Sequence, residues 1–419
     1  MTALKPSGLS LLALAALFTV QPALAADYAD LPPQQAVLAA LQQTPAVLAA
    51  AAGIQAQQAY GDMIKAGPYE WSVQGSDAQR RIFDTGQIQH DWSVGLTTTI
   101  RMPGKSGLDD KLAEQTVQSG TLSAGDAMHE AARKLLSIWF TWLSASAQSD
   151  LWQQQTGLLQ QQVEAVRRRV RAGDAASVEI DLAQAARLQA QVAMEQANLR
   201  RNNATNLLHT YFPSLPLPEH CKPVPPQALD QPLAYWMETG LSDNHELQLA
   251  RNASRIAQLR AKRADADLVP DPTVSVYYMS QREGLDTFTG VSVSVPITGT
   301  LRHRTSDAER ARADMTLQKE SQVEQRLRGE IGNAWNTAQS AWQNWQLTRS
   351  ASELTGHNAD KIAHAYTLGE ASLNDVLLAR RQQLDARLIE TQAELDAAES
   401  RYRLMLDTHH LWPIEAASR

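Results

Sequence analysis

A long internal repeat restricts this chain to folds built from two copies of one unit. The run Arg171-Ala-Gly-Asp-Ala-Ala-Ser-Val-Glu-Ile-Asp-Leu-Ala aligns with Thr367-Leu-Gly-Glu-Ala-Ser-Leu-Asn-Asp-Val-Leu-Leu-Ala, which sets Gly173 opposite Gly369. At the same offset of 196 residues, without a gap, Trp139 meets Trp335, Leu151 meets Leu347, Leu188 meets Leu384 and Leu199 meets Leu395. Self-similarity on this scale sets the architecture before any local motif does. Each glycine lies between two very long helical stretches, so each is expected to mark the tip of a helical hairpin.

Composition supports long helices. The 419 residues include only five Phe, beside abundant Ala, Gln, Leu and Arg. That suits packed helices with small-residue seams rather than a compact enzyme. Length alone would allow two or three globular domains, whereas the repeat argues for one elongated body of two similar halves. No Gly-rich phosphate loop, nucleophile elbow or ligand cluster is visible, so no catalytic or cofactor-binding residue is assigned.

The N-terminus reads as an export signal. Lys5 is the only charge before the apolar run Leu9 to Val20, and Ala23-Leu24-Ala25 fits a small-x-small cleavage site before Ala26. The run is too short to span a bilayer comfortably. Residues 1–25 are therefore expected to be a cleaved signal peptide. With no Cys at the cleavage site, the exported chain is not expected to be a lipoprotein. Losing Lys5 takes the formal net charge from −7 to −8. The acidic balance and the lack of a basic tail argue against nucleic acid as a partner. Cys221 is alone, so it can form no disulfide within the chain.

Read along its length, the chain repeats one order of elements. Residues 26–212 form the first repeat. A helix is expected from about Gln34 to Lys65, followed by a strand pair within 69–102. Tyr69, Trp71 and Val73 alternate with polar residues in one strand, and Trp92, Val94, Leu96, Thr98 and Ile100 do so in the other. The polar stretch from Gly75 to His90 reads as a loop. A helix from about Leu108 to Arg171 turns near Gly173 and returns from Ser177 to Tyr211. Six prolines mark an extended linker over 213–231. Residues 232–412 form the second repeat: a helix to Asp267, a strand pair over 273–296, and a hairpin from Arg302 to about His410 with its tip near Gly369. Residues 413–419 remain as a tail. At ~1.5 Å per residue the long helices would reach about 95 Å, with two shorter helices stacked end to end beside each.

The strands point to a membrane. Four strands of about ten residues match the height of an outer-membrane barrel wall. Four cannot close a barrel alone, and unpaired strand edges in lipid cost several kcal/mol per group. Sharing a barrel among copies removes those edges. Trp71, Trp92 and Tyr278 are then candidate membrane-interface aromatics. A small soluble hairpin domain packed on the helices remains the other reading of the alternation.

The doubled order of helix, strand pair, long helix, glycine turn and return helix resembles the TolC family of outer-membrane efflux proteins, across nearly all of the exported chain. The turns Tyr366-Thr-Leu-Gly369-Glu-Ala-Ser-Leu-Asn-Asp375 and Arg171-Ala-Gly173-Asp-Ala carry the resemblance. It implies a mainly α fold with a small β part. The duplicated helical hairpins would form a periplasmic barrel, and a homotrimer would pool four strands per chain into a 12-stranded transmembrane barrel. It further implies an exit duct without catalysis, served by a periplasmic adaptor and an inner-membrane RND transporter, in the outer membrane of a bacterium.

The family often carries aspartates after the second glycine turn, at the narrow entrance. Asp375 matches the first such position, Leu378 occupies the second, and Glu179 is the half-one counterpart of Asp375. Asp375 and Glu179 are thus gate candidates. Three copies of a carboxylate facing a pore would attract cations and raise one another's pKa. Arg171, Ala172, Gly173, Asp174 and Ala175, with Leu368, Gly369, Glu370 and Ala371, are the adaptor-docking candidates. The short, non-lipidated chain is most similar to the outer-membrane members of cobalt–zinc–cadmium efflux systems, which implies divalent heavy metals as cargo. Multidrug efflux, type I protein secretion and a soluble periplasmic coiled-coil scaffold are the alternatives. The residues themselves show no metal site. No carboxylate or Cys stands at a recognisable ligand spacing in the sequence from His409-His410, and His357 with His364 would be an incomplete set.

Overall fold

The computed structural model describes residues 28–218 and 224–414. The expected signal peptide, Cys221 and most of the C-terminal tail lie outside them. The order is α1 (Gln34–Gln42), α2 (Pro45–Ala66), β1 (Ser72–Arg81), β2 (Ile88–Thr99), α3 (Lys105–Ala172) and α4 (Val178–Tyr211). It continues as α5 (Leu233–Ser242), α6 (His245–Ala266), β3 (Thr273–Gln281), β4 (Asp286–Ser294), α7 (Thr300–Thr367) and α8 (Leu373–Asp407). The same order thus occurs twice. The two long helices, α3 and α7, have 68 residues each, or roughly 100 Å at the standard rise. α2 and α4 both pack on α3, and α6 and α8 both pack on α7, as the matching lengths require.

Both entry helices are broken, the first at Pro45, which interrupts the run from Gln34 to Lys65, and the second between Ser242 and His245, where the sequence suggested one continuous helix. Pro45 at the first turn of α2 ends α1 three residues earlier, at Gln42, since proline suits a helix start and not an interior. At the second-half break no proline is present. Asn244 caps α6 instead, its side chain accepting from the Leu247 amide at 2.9 Å. Satisfying that amide compensates for the interrupted ladder.

The expected loop from Gly75 to His90 is mostly strand. β1 pairs with β2 residue by residue from Ser72↔Thr97 to Arg81↔Ile88, leaving only 82–87 as the turn. From Gly75 to Arg81 no large apolar side chain is present on either face, so alternation disappears while the backbone ladder continues. Pairing in a hairpin is set by backbone hydrogen bonds and the turn, not by apolar alternation.

The main core lies mid-way along α3. Leu135, Leu136, Trp139, Phe140 and Leu143 are buried there against Val37 and Leu41 of α1, Leu208 of α4, Trp236 of α5 and Leu404 and Leu406 of α8. The N-terminal segment is fastened into this core by Asp30. Its backbone carbonyl accepts from Trp139 Nε1 at 2.8 Å and its Oδ1 accepts from the Tyr402 hydroxyl at 2.8 Å. A second, smaller core at the hairpin tips joins both halves: Val163 and Val166 of α3, Ala183 of α4, Tyr366 of α7, and Leu373 and Val376 of α8.

Candidate functional site

At the tips, Gly173 and Gly369 adopt φ of 84° and 81°. A Cβ at either would meet nothing within 4 Å. Glycine is therefore required there for left-handed backbone and not for close approach. The amide two places into each turn closes the helix end: Asp174 N to Arg169 O at 2.9 Å and Glu370 N to Ala365 O at 3.0 Å. Arg171, Ala172, Asp174, Leu368 and Glu370 are exposed around the glycines, while Ala175 and Ala371 are half-buried. The structure brings the two sets together, because Tyr366 and Leu373 share a core with Val163 and Val166.

The gate candidates occupy equivalent places but differ in partners. Asp375 sits in a capping box at the start of α8. Its Oδ2 accepts from the Ser372 amide at 3.0 Å and the Ser372 hydroxyl at 2.7 Å, and its own amide donates to Ser372 Oγ at 3.2 Å. The Ser372 hydroxyl and amide hold its pKa below the usual carboxylate value. Glu179 faces Ala176, which has no hydroxyl, and instead accepts from the Tyr366 hydroxyl at 3.0 Å. Burial first, and then Glu179, push the Tyr366 pKa upward. The Arg169 guanidinium lies 4.6 Å from the centre of the Tyr366 ring. The tyrosine thus joins the tip of the second half to both helices of the first. Sequence comparison between the turns did not single out Tyr366, because half one has no counterpart: Val170 stands at the equivalent position.

The four strands form one antiparallel sheet in the order β1-β2-β3-β4, open at both edges. The register sorts its faces. Val73, Leu96, Val276 and Val291 form one row across all four strands, and all four are exposed. The opposite face carries Ser and Thr. Ser76 and Ser93 hydroxyls are 2.7 Å apart, Thr97 and Ser275 2.8 Å, and Thr99 and Thr273 3.1 Å. The Tyr277 ring covers Gly290 on this face, where a Cβ would meet its ring atoms at 2.5 Å. Trp71 precedes β1 at the helical end of the sheet and is 67% exposed. Trp92 and Tyr278 lie toward the hairpin turns, with ring centroids 5.6 Å apart. Trp71 is level with Thr98, six residues from Trp92 along β2, which is roughly 20 Å at the strand rise.

A polar collar ties the sheet to the helices. Lys105, fully buried, donates from Nζ to Val269 O at 2.8 Å and to Asp271 Oδ1 at 2.9 Å, and pairs with Asp267 at 3.0 Å. Arg263 reaches Asp109 at 2.6 Å, and the Tyr69 hydroxyl donates to Asp271 Oδ2 at 2.9 Å. Burying an ammonium is tolerable only with such partners. These groups are far apart in sequence, with no periodic signal to connect them.

Among the described residues, no group of three or more His, Cys, Asp or Glu is arranged to hold a metal ion. The rings of His129, His245 and His409 do gather, at 5.2 to 6.3 Å between centroids. His129 is buried and its Nε2 lies 3.0 Å from Leu406 O. Burial, then Arg133, lowers its pKa to about 4. His357 and His364 are exposed. No single described helix is long and apolar enough to cross a membrane. α1 and α2 pass only as a pair, bent by 61° at their break.

No family model matches this sequence, and no curated protein matches it. Solved structures do match. The Campylobacter jejuni CmeC outer membrane channel is 14% identical and aligns over 92% of this chain and 89% of its own, with a TM-score of 0.75. CusC, described with transmembrane channel formation, is 14% identical over 91% of both chains, with a TM-score of 0.73. The outer membrane protein VceC of Vibrio cholerae is 16% identical over 90% of this chain and 95% of its own, with a TM-score of 0.71. At these identities the likeness shows the fold. The chain has, nearly end to end, the fold of these outer-membrane channels.

Proposed function

We propose that this chain is the outer-membrane exit duct of a tripartite efflux system, acting as a homotrimer without catalysis of its own. The four-stranded sheet carries the proposal. Both of its edges lack a partner strand, one face is an exposed apolar band and the other is a hydroxyl-lined polar surface. In water that apolar band would drive aggregation. In a bilayer it faces lipid, and three copies pair their free edges into a closed 12-stranded wall with the polar face inward. Trp71 at one level and Trp92 with Tyr278 near the other fit the two interfacial girdles of such a wall. The long helices extend the conduit into the periplasm, where a periplasmic adaptor and an inner-membrane RND transporter engage the glycine tips. The soluble scaffold reading leaves the apolar band uncovered and is set aside.

For cargo we propose divalent heavy-metal cations, on the resemblance to cobalt–zinc–cadmium systems and the short connections at 82–87 and 282–285. Asp375 supplies a carboxylate per copy near the tip. Purified chain should form trimers that dissociate on heating and should open conductances in planar bilayers. A soluble periplasmic monomer or dimer would sink the duct. Rescue of zinc, cobalt or cadmium tolerance in a host lacking its own exit ducts, with the neighbouring pump and adaptor genes present, tests the cargo. Rescue against organic compounds alone reassigns it to drugs, and export of a protein substrate reassigns it to secretion.

A further inference from the structure

The end of α3 carries four arginines in five positions, Arg167, Arg168, Arg169 and Arg171. The helix sorts them. Arg169 turns inward over the Tyr366 ring, and its Nη2 donates to Asp174 O at 3.3 Å. Arg167, Arg168 and Arg171 are exposed on another side. There they line a surface concavity with Glu164, Val170 and Ile180 of α4. Among the described residues none of these three guanidiniums has a carboxylate within ion-pair distance. Glu164, one turn back, accepts from Gln160 at 2.8 Å instead. The second tip lacks this patch, since Ala363, Ala365 and Thr367 stand where the first has Arg167, Arg169 and Arg171, and His364 replaces Arg168.

We propose that this groove is a docking site for an acidic amphipathic helix of a partner protein, whose carboxylates pair with Arg167, Arg168 and Arg171 while its apolar edge meets Val170 and Ile180. The proposal rests on the duct reading for the place of contact and adds the chemistry of the contact. Three like charges held on adjacent turns repel one another, so an anionic occupant gains both by pairing and by relieving that repulsion. Guanidinium groups around a partly apolar floor are the composition of a protein interface. A surface that only attracted small anions would need no such floor. The asymmetry between the tips makes the partner's helix distinguish half one from half two.

The test uses the full chain in detergent and a labelled helical peptide with a leucine stripe flanked by glutamates, read by fluorescence anisotropy. A peptide with lysines in place of the glutamates is the control. The glutamate peptide should bind, and its affinity should fall roughly tenfold between low and physiological salt, as contacts dominated by charge do. The lysine peptide should not bind. R167E/R168E/R171E should abolish binding, and R167K/R168K/R171K, which keeps the charge, should retain most of it. Failure of the glutamate peptide to bind, or equal binding by both peptides, overturns the proposal. So does a charge-reversed variant that still binds peptide but switches the ion selectivity of the bilayer conductance, because the arginines then face the pore. Wild-type conductance in the same preparation tests the duct separately: its absence sinks the duct, and peptide binding alone decides the groove.

Discussion

The Tyr366 hydroxyl donates to Glu179 Oε2 at 3.0 Å and thereby joins the last turn of α7 to the first turn of α4. It is a side-chain bond between the two halves at the hairpin tips, beside the core shared by Val163, Val166, Leu373 and Val376. Tyr366→Phe removes the donor and keeps the ring. Loss of one such bond is worth about 1 kcal/mol, enough to shift an open–closed balance about fivefold. The expected outcome is a larger or more frequently open conductance in planar bilayers. Glu179→Gln keeps an acceptor and should resemble wild type. Unchanged gating in Tyr366→Phe would remove the bond from the gate.

Asp375 tests the entrance. Its folded pKa lies below the ordinary 3.8 because it accepts from Ser372. The capping contribution is therefore present above about pH 4 and lost only as pH falls further, through the folded value. In the proposed entrance ring this carboxylate would stay ionised over the same range. Cation selectivity should hold down to about pH 4 in wild type and weaken in Asp375→Asn at neutral pH. Crowding of three copies would raise the pKa and move the loss upward. Equal selectivity in the variant would assign Asp375 to capping alone.

His129 sets an acid limit on the region where the middle of α3 meets the end of α8. Burial holds its pKa near 4, against 6.5 for a free imidazole. Its folded state resists protonation, so its contribution to stability is intact above about pH 6.5 and lost as pH falls toward 4. The full loss is on the order of 3 kcal/mol. Thermal melts should show wild type losing stability over that window. His129→Gln should lose less between the same two pH values.

Lys105 is the buried centre of the collar. Lys105→Met removes the ammonium while leaving Asp271, with Tyr69 and the Met102 amide as its remaining partners. Breaking a buried pair from one side costs about 3 kcal/mol. Trimers should dissociate at a lower temperature in denaturing gels. A melting profile equal to wild type would show that the collar is dispensable.

Gly369 carries positive φ with open space around it. Gly369→Ala should cost about 1 kcal/mol from backbone strain alone. Adaptor binding should suffer only as far as the tip reshapes. A stabilised melt would contradict the left-handed turn.

The sequence by itself determined the order of elements, the two glycine tips, the polar–apolar faces of β2, β3 and β4 and the place of Asp375. Each is written in local terms: a repeat, a period of two, or a residue at a turn. It did not reveal how equivalent residues are used. Leu188 and Leu384 align in the repeat, yet they are 53% and 6% exposed, and Leu199 and Leu395 are 61% and 3%. The reason is tertiary: α8 packs on α7 and also on α3, whereas α4 has α3 as its main neighbour. One sequence unit therefore yields a buried helix in one half and a helix with an open apolar stripe in the other. The Tyr366–Glu179 bond, the collar around Lys105 and the anchoring of Asp30 by Tyr402 likewise join residues far apart in the chain. Only the packing of one half against the other brings them within hydrogen-bonding distance.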